Sequence, residues 1–190
     1  MPFTAYQGIR GAWIGIGVVW LAAAFTTKRT ARRQDVGTFI VHVLVLGVAF
    51  DLIFSELFRR GFLSWRFVAK VDGIGWMGFA ITAAGIAFAI WARLSIGRNW
   101  SGTVTVKQDH ELVRSGPYSL VRHPIYSGLS LALLGTALGV GEVRCLLAFV
   151  LCLFEFKRKS LLEERFMIEQ FGAQYVQYRR EVKGLIPFVW

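Results

Sequence analysis

The sequence predicts an all-α, polytopic integral membrane protein with about five transmembrane helices. Of its 190 residues, 55% are hydrophobic and only 18% are charged, which excludes an intrinsically disordered chain. Uncharged stretches of 15 to 20 residues recur, at residues 11–27, 36–50, 73–92 and 125–141. About 20 apolar residues are enough to cross a bilayer. The formal net charge of +10 must then lie in the loops and the tail, where it can face anionic lipid headgroups. Nucleic acid is not expected as a partner, because no recognition module is present.

The helices follow from the apolar stretches in chain order. The predicted spans cover residues 9–26, 36–58, 73–91, 124–140 and 142–156. The last two form a helical hairpin with almost no loop between them, and a long polar stretch over residues 93–122 precedes this hairpin. We therefore divide the chain into N-terminal transmembrane helices, residues 1–92, and a half that carries the candidate site, residues 93–190.

The distribution of Lys and Arg predicts the orientation, since short cytoplasmic loops are enriched in these residues. Four lie in the first loop and seven in the tail: Lys28, Arg29, Arg32 and Arg33, then Lys157, Arg158, Lys159, Arg165, Arg179, Arg180 and Lys183. With the N-terminus outside, five spans place both segments and the polar stretch in the cytoplasm. Residues 59–72 then lie outside although they hold four further cations, which conflicts with the rule.

Some motifs have a simpler explanation than a functional site. Residues 73–78 match the glycine spacing of a dinucleotide loop, but they open an apolar span, so close helix packing is the better interpretation. Cys145 and Cys152 lie in one apolar stretch and are interpreted as packing residues. No metal-ligand spacing is present. Asp51 and Glu56 in the second span are either partnered residues near the interface or a substrate contact.

Two clusters of polar and aromatic residues carry the chemistry. The first, residues 108–128, holds two of the three histidines, and its two prolines forbid a continuous helix at the entry to the hairpin. Irregular backbone at membrane depth requires a protein-lined or watery cavity. The second cluster begins with Glu163 and Glu164, just past the hairpin and on the same side of the membrane as Arg122. We expect a binding site at this face. The alternative is that Arg122 and His123 are interfacial residues and that the acidic pair marks a helix N-terminus.

A signature of spaced residues runs through roughly residues 94–188. In order it consists of Gly116-Pro117-Tyr118, Arg122-His123-Pro124-Ile125-Tyr126-Ser127-Gly128, Glu163-Glu164, Phe171-Gly172, Tyr175, Tyr178 and Pro187. This signature resembles the isoprenylcysteine carboxyl methyltransferase family, and phospholipid N-methyltransferases share much of it. The residues before this half match the family only in being hydrophobic.

The resemblance implies a membrane methyltransferase that uses S-adenosyl-L-methionine, with a cofactor pocket that faces the cytoplasm and is capped by the C-terminal segment. By position, the residues that would line the cofactor are His110, Leu112, Val113, Gly116, Tyr118, His123, Pro124 and Tyr126. Glu163 and Glu164 would hold its polar groups. Longer family members have a more extended acidic run, so the division of labour between these two glutamates stays open.

The chemistry of the residues agrees with that assignment. Carboxylates and aromatic rings suit the cations of S-adenosyl-L-methionine. The carboxylate of a prenylcysteine-like or other lipophilic acceptor is already ionised at neutral pH, so it needs positioning and no general base. Arg122 is the predicted catalytic residue, because its guanidinium can hold that carboxylate bidentately.

Other function classes stay open at this point. A phospholipid or other amine N-methyltransferase would share the signature, and an NADPH-dependent membrane reductase would share the fold. A non-enzymatic scaffold or small transporter is a third class, although a transporter more often shows repeat symmetry between its halves. The sequence names neither the methyl acceptor nor the oligomeric state.

The aromatic spacing in the tail predicts a helical segment that covers the site as a lid. Phe171, Tyr175 and Tyr178 recur at helical spacing, and Gly172 is expected to bend or split the helix. We expect this segment to fold back over Arg122 with Tyr175 and Tyr178 packed inward. The alternative is an interfacial helix that lies on the membrane.

Overall fold

The computed structural model describes residues 4–24, 30–33, 36–97, 105–107 and 112–186. In that part the chain forms six α-helices: α1 (Ala5–Ala24), α2 (Val36–Phe54), α3 (Asp72–Ile96), α4 (Pro124–Val140), α5 (Val143–Phe171) and α6 (Ala173–Glu181). Short 3-10 helices cover Glu56–Phe58, Gly61–Ser64 and Gly116–Ser119. Strands β1 (Thr30–Arg33) and β2 (Thr105–Lys107) pair antiparallel, a small ribbon that the sequence did not predict. Apart from this ribbon the all-α class is confirmed.

Within the described ranges, α2 and α3 are long and apolar enough to cross a membrane, whereas α4 is apolar but shorter. The surface of α2 supports a membrane location, because its apolar side chains are exposed rather than packed: Leu44 is 62% exposed and Ile40 is 50% exposed. Such a helix differs from the buried core helix of a soluble protein. The predicted count of five spans is not established by these helices.

The centre of the bundle is the contact between α3 and α4, where small residues bring the two backbones together. A Cβ atom at Gly78 would lie 2.4 Å from the Cα of Gly139, so neither helix could carry a larger residue at this crossing without moving apart. The glycines of residues 73–78 therefore include one that serves close packing, as the sequence analysis expected. Cys145 and Cys152 are buried and unbridged, as expected for packing residues.

Helix α4 has the bounds that its sequence predicts. Pro124 stands at its first position, where the missing N–H costs no hydrogen bond, and Gly141 follows its last residue with φ of +72°. Helix α5 then begins at Val143 and runs for 29 residues, so the second helix of the hairpin continues without a break into the charged tail.

The second helix ends four residues earlier than predicted. Phe54 is its last residue, because the Ser55 hydroxyl accepts a hydrogen bond from the Leu57 amide and starts a 3-10 turn. Glu56 lies in this turn with its side chain 75% exposed and pairs with Arg59, so it faces solvent or headgroups rather than a bound substrate.

The end of the bundle away from Arg122 is closed by a buried Arg. The Arg144 guanidinium donates to the carbonyls of Leu52 and Ile53 at the C-terminus of α2 and to the carboxylate of Glu142. These contacts tie the hairpin turn to α2. The predicted division of the chain at residue 92 falls inside α3 and stays a prediction.

Candidate functional site

The site is built where the irregular segment before α4 meets the charged half of α5. Residues 116–119 form a 3-10 turn that begins at Gly116, whose φ is +59°. Helix α4 starts at Pro124, so His123 is its N-cap and has a non-helical backbone conformation. Two prolines thus hold Tyr118 and His123 in a bent segment whose aromatic side chains are 7% exposed.

Glu164 is the centre of the charged contacts. The Nε and Nη2 atoms of Arg122 donate to its Oε1 at 2.9 and 2.6 Å, and His123 Nε2 lies 3.2 Å from the same oxygen. The other carboxylate oxygen, Oε2, lies 3.3 Å from Arg179 Nε. The Glu164 and Arg122 side chains are only 8% and 10% exposed, so this is a nearly buried ion pair.

Glu163 binds the other side of the same histidine. His123 Nδ1 lies 3.3 Å from Glu163 Oε2, and the Tyr126 hydroxyl donates to Glu163 Oε1 at 2.5 Å. The Tyr126 ring stacks near-parallel on His123, with centroids 6.0 Å apart, and on Phe156, at 5.2 Å. The Glu163 side chain is 24% exposed, so it offers more surface to a ligand than Glu164 does.

The surroundings keep both glutamates ionised. Burial raises the pKa of Glu164, but hydrogen bonds from His123 and Arg122 outweigh it and lower that pKa to about 2. Burial likewise raises the pKa of Glu163, and hydrogen bonding and charge from His123 hold it below its usual value. Burial lowers the pKa of His123, but hydrogen bonds to both carboxylates raise it overall. His123 is therefore suited to be a cation between two anions.

The C-terminal segment covers this charged centre. The amides of Arg122 and His123 donate to the carbonyls of Lys183 and Gly184 at 2.8 and 3.0 Å. The Nη1 atom of Arg122 also donates to the carbonyls of Arg179 and Val182. Four hydrogen bonds from the Arg122 side chain thus join α5 to the end of the chain.

Helix α6 packs inward as its aromatic spacing predicts. Gly172, with φ of +52°, separates it from α5. Tyr175 is 3% exposed and Tyr178 is 2% exposed, and the Tyr178 hydroxyl donates to the Tyr118 carbonyl at 2.5 Å. The inward packing of both tyrosines is confirmed, whereas their service as a lid during a reaction stays a prediction.

A cavity of about 290 Å³ opens beside Glu164. Its charged lining consists of four cations and one carboxylate, namely Arg122, Lys157, Arg179, Lys183 and Glu164. Ser160, Gly184 and two leucines complete it. Lys157, Ser160, Leu161 and Glu164 follow one another at the spacing of a single helix face, so one stripe of α5 forms a wall of the cavity.

The remaining predicted site residues are distributed around this centre. Pro124 is fully buried, whereas Leu112 and Val113 are half-buried. Gly116 is exposed, and a Cβ atom there would lie 3.4 Å from Ser95 Oγ. His110 lies outside the described residues. The structure thus brings Arg122, His123, Tyr126 and the two glutamates into contact, and no direct contact joins Leu112 or Val113 to them among the bonds it describes.

Sequence reasoning missed the cavity cations and a buried histidine. Lys157 and Lys183 entered it only as tail charges, although Lys157 precedes Glu164 by seven residues on one helix face, and Arg179 was placed in the second cluster without a cavity being predicted. His42 carried no signal, because its partners lie more than 100 residues away in the chain. Within the described ranges, no three His, Cys, Asp or Glu side chains are arranged to hold a metal ion.

Comparisons with known proteins show which family this chain resembles. The sequence profile described as phospholipid methyltransferase matches residues 74–174. A probable protein-S-isoprenylcysteine O-methyltransferase of Oryza sativa subsp. japonica is 28% identical over 178 residues, which are 89% of this chain and 87% of that protein. The protein-S-isoprenylcysteine O-methyltransferase of Schizosaccharomyces pombe is 37% identical over 101 residues, which are 52% of this chain and 43% of that protein.

A solved structure shares the fold. It is described as the eukaryotic intramembrane Ras methyltransferase ICMT, isoprenylcysteine carboxyl methyltransferase, without a monobody, and it aligns with a TM-score of 0.57 at 24% identity. The alignment covers 82% of this chain and 54% of that one, so the present chain spans about half the length of this relative. The predicted resemblance and the predicted enzyme class, a methyltransferase, are confirmed by these matches. The chain belongs to the membrane methyltransferase family that contains the phospholipid and isoprenylcysteine carboxyl methyltransferases.

Proposed function

We propose that this protein is an S-adenosyl-L-methionine-dependent membrane methyltransferase that methylates the carboxylate of a prenylcysteine-like or other lipophilic acceptor. The observation that carries the proposal is the pair Glu163 and Glu164, held on both sides of His123 and placed beside a cavity lined by four cations. The glutamate pair suits a cationic ligand, and the cavity lined by cations suits an anionic one.

The residues around Glu163 fit S-adenosyl-L-methionine. When bound, this cofactor supplies a methyl group on a cationic sulfonium. Glu163 is ionised and partly exposed, and the Tyr126 ring, whose hydroxyl donates to Glu163, lies beside it. A carboxylate and aromatic faces are the groups that stabilise an organic cation. We therefore assign the cofactor contact to Glu163 and a structural role to Glu164, whose oxygens are taken by Arg122, His123 and Arg179.

The cavity favours a carboxylate acceptor over an amine. Arg122, Lys157, Arg179 and Lys183 would attract an anion and repel the ammonium form of an amine acceptor. Leu161 lines the same cavity and is 44% exposed, so a lipophilic tail can leave toward the membrane from here. The names of the rice and S. pombe relatives, isoprenylcysteine O-methyltransferases, agree with this choice.

For this reaction the protein has mainly to position the acceptor carboxylate. An ionised carboxylate has its nucleophilic lone pair available and requires no general base. The Arg122 guanidinium has five N–H donors and makes four hydrogen bonds within the chain, which leaves one N–H for the acceptor, one fewer than a bidentate contact uses. Residues 182–186 and Tyr178 cover the charged centre and would exclude water from it during methyl transfer.

We also propose that this end of the bundle faces the cytoplasm. The cations of α5 and α6 that follow residue 156 lie at this end, in agreement with the positive-inside rule. A water-soluble cofactor would enter from that side while a lipophilic acceptor enters from the bilayer. Orientation is testable by labelling a cysteine introduced at Glu181 in sealed vesicles.

The proposal is tested with purified protein and methyl-tritiated S-adenosyl-L-methionine. Farnesylated N-acetylcysteine and phosphatidylethanolamine are offered as competing acceptors, and the labelled products are identified by mass spectrometry. Label in a base-labile methyl ester supports the carboxylate acceptor. Label in the phospholipid amine would establish the N-methyltransferase alternative instead. Binding of NADPH without binding of S-adenosyl-L-methionine would contradict the cofactor assignment.

A second measurement tests the assignment of the cofactor contact to Glu163. Glu163→Gln should weaken cofactor binding by about 1.5–3 kcal/mol, the value of a charge-assisted hydrogen bond, measured at a temperature at which the variant is folded. An unchanged dissociation constant for Glu163→Gln would remove this residue from the cofactor site.

A further inference from the structure

A buried polar network joins α2 to α5 next to the site described above. His42 Nδ1 lies 2.8 Å from Glu155 Oε1, and His42 Nε2 lies 3.3 Å from Lys159 Nζ. His42 is 9% exposed, and Glu155 and Lys159 are 4% exposed. Ionisable groups sealed inside a membrane protein are costly, so a network that keeps three of them suggests a function.

The contacts define how His42 is protonated. Because a carboxylate only accepts hydrogen bonds, His42 Nδ1 carries the proton that points at Glu155. The lone pair on Nε2 is then available to accept from the ammonium of Lys159. Arg158 binds the same carboxylate through Nε and Nη2 at 2.8 and 2.7 Å, so Glu155 is held from two sides. The neutral imidazole therefore acts as a rigid acceptor that fixes the Lys159 ammonium.

Lys159 extends from this network toward the cofactor side of the site. Glu155, Lys159 and Glu163 follow one another in steps of four residues, so they share one face of α5. Lys159 Nζ lies 5.9 Å from the centroid of the Tyr126 ring, whose hydroxyl donates to Glu163. A fixed buried cation thus accompanies the carboxylate that we assign to the cofactor.

We propose that His42 and Glu155 are positioning residues that hold Lys159 as a counter-charge to Glu163, and that this counter-charge accelerates methyl transfer without strengthening cofactor binding. This inference rests on the proposed function. A lone pair on the acceptor carboxylate forms the new O–C bond to the methyl carbon, the S–C bond breaks, and its electron pair stays on sulfur. An anion and a cation thereby become two neutral molecules.

That loss of charge explains why a counter-charge would matter. A carboxylate beside the methyl donor stabilises the cationic reactant more than the transition state, in which the positive charge is already partly neutralised. If no cation balanced its charge, the Glu163 carboxylate would strengthen cofactor binding and slow methyl transfer. Lys159 and His123 both reduce this negative potential, and the hydrogen bond to His42 fixes the position of the Lys159 ammonium.

The experiment uses the full chain purified in detergent. The variants are Lys159→Met, which removes the cation, and His42→Phe, which fills the space of the imidazole without either hydrogen bond. Lys159→Arg and His42→Gln are the conservative partners, and Lys70→Met is the matched control at an exposed lysine. Three quantities are measured: the dissociation constant of S-adenosyl-L-methionine by calorimetry, kcat with farnesylated N-acetylcysteine at saturating cofactor, and the melting temperature.

We expect Lys159→Met and His42→Phe to lower kcat by about tenfold or more while the cofactor dissociation constant stays equal or falls. His42→Gln should recover much of the rate, because an amide can donate to Glu155 and accept from Lys159. Two results would overturn the inference: kcat within about twofold of wild type in both variants, or a parallel loss of cofactor binding. Should Lys159→Met fail to fold, His42→Phe decides, since it leaves every charge in place. If the wild type itself does not bind S-adenosyl-L-methionine, the proposed function fails first and this inference falls with it.

Discussion

Replacing Glu164 by Gln should destabilise the fold by roughly 3 kcal/mol at neutral pH. The carboxylate accepts two hydrogen bonds from Arg122 and one from His123, and it lies 3.3 Å from Arg179. A glutamine offers one acceptor oxygen, turns an NH₂ group toward cations, and leaves Arg122 nearly buried without a counter-ion. Removing one partner of a buried ion pair typically costs about 3–5 kcal/mol.

The lowered pKa of Glu164 gives a second value for the stability that this carboxylate contributes, and it predicts how that stability depends on pH. Burial opposes ionisation, but His123 and Arg122 lower the pKa from 4.5 to about 2, which corresponds to roughly 3 kcal/mol in favour of the ionised folded state. Because the folded-state pKa lies below the unfolded one, this stability is present above about pH 4.5 and is lost as the pH falls toward about 2. The difference between wild type and Glu164→Gln should therefore be largest between about pH 4.5 and 6.5, where Glu164 is ionised and His123 is protonated, and should shrink below about pH 4.5.

Denaturant unfolding in a nonionic detergent at neutral and acidic pH measures this difference. Glu56→Gln is the matched control, because its side chain is 75% exposed and its 3.6 Å pair with Arg59 should contribute no more than about 1 kcal/mol. The reasoning is refuted if Glu164→Gln costs less than about 1 kcal/mol at neutral pH, or if its cost is the same at pH 3 as at neutrality.

Three further substitutions test other parts of the structure. Arg122→Lys keeps the charge but loses the planar fork, so kcat/KM should fall well beyond about twofold while the cofactor dissociation constant changes little; retained activity would remove Arg122 as the acceptor clamp. Tyr178→Phe removes only the hydrogen bond to the Tyr118 carbonyl and should lower the free energy of unfolding by about 0.5–1.5 kcal/mol; no change would show that this bond does not hold α6. Gly78→Ala places a Cβ 2.4 Å from the α4 backbone and should cost about 1–3 kcal/mol, whereas Gly11→Ala, where a Cβ meets nothing within 4 Å, should not destabilise; equal effects would contradict the α3–α4 crossing.

The hairpin could be predicted from sequence because its limits are set by local chemistry. Proline at the first position of α4 and glycine after its last residue fix both ends within a few bonds of those residues. The length of α5 could not be predicted in the same way. Its apolar part ends near Phe156, but the backbone hydrogen bonds continue through charged residues to Phe171, where Gly172 stops them. Hydropathy marks where a helix leaves an apolar environment, not where the helix ends.

The members of the site could be predicted better than their contacts. The clustering of His123, Tyr126 and the two glutamates near one membrane face follows from the hairpin. The partner of Arg122 does not, because Glu164 is 42 residues away and a substrate carboxylate would have suited the same guanidinium. His42 lies still further from its partners, and a single histidine in an apolar helix gives no pattern from which Glu155 or Lys159 could be inferred.

The geometry of α5 explains why two adjacent glutamates need not share one role. Successive residues of an α-helix point about 100° apart, so Glu163 and Glu164 cannot face the same environment. Glu164 belongs to the stripe that contains Lys157 and lines the cationic cavity, whereas Glu163 continues the stripe of Lys159 that faces His42 and Tyr126. One helix therefore carries both the stripe that lines the cavity and the stripe that faces His42 and Tyr126. If the acceptor binds along the first stripe and the cofactor along the second, any change that rotates or shortens α5 should impair both ligands at once, while changes on a single stripe should impair one.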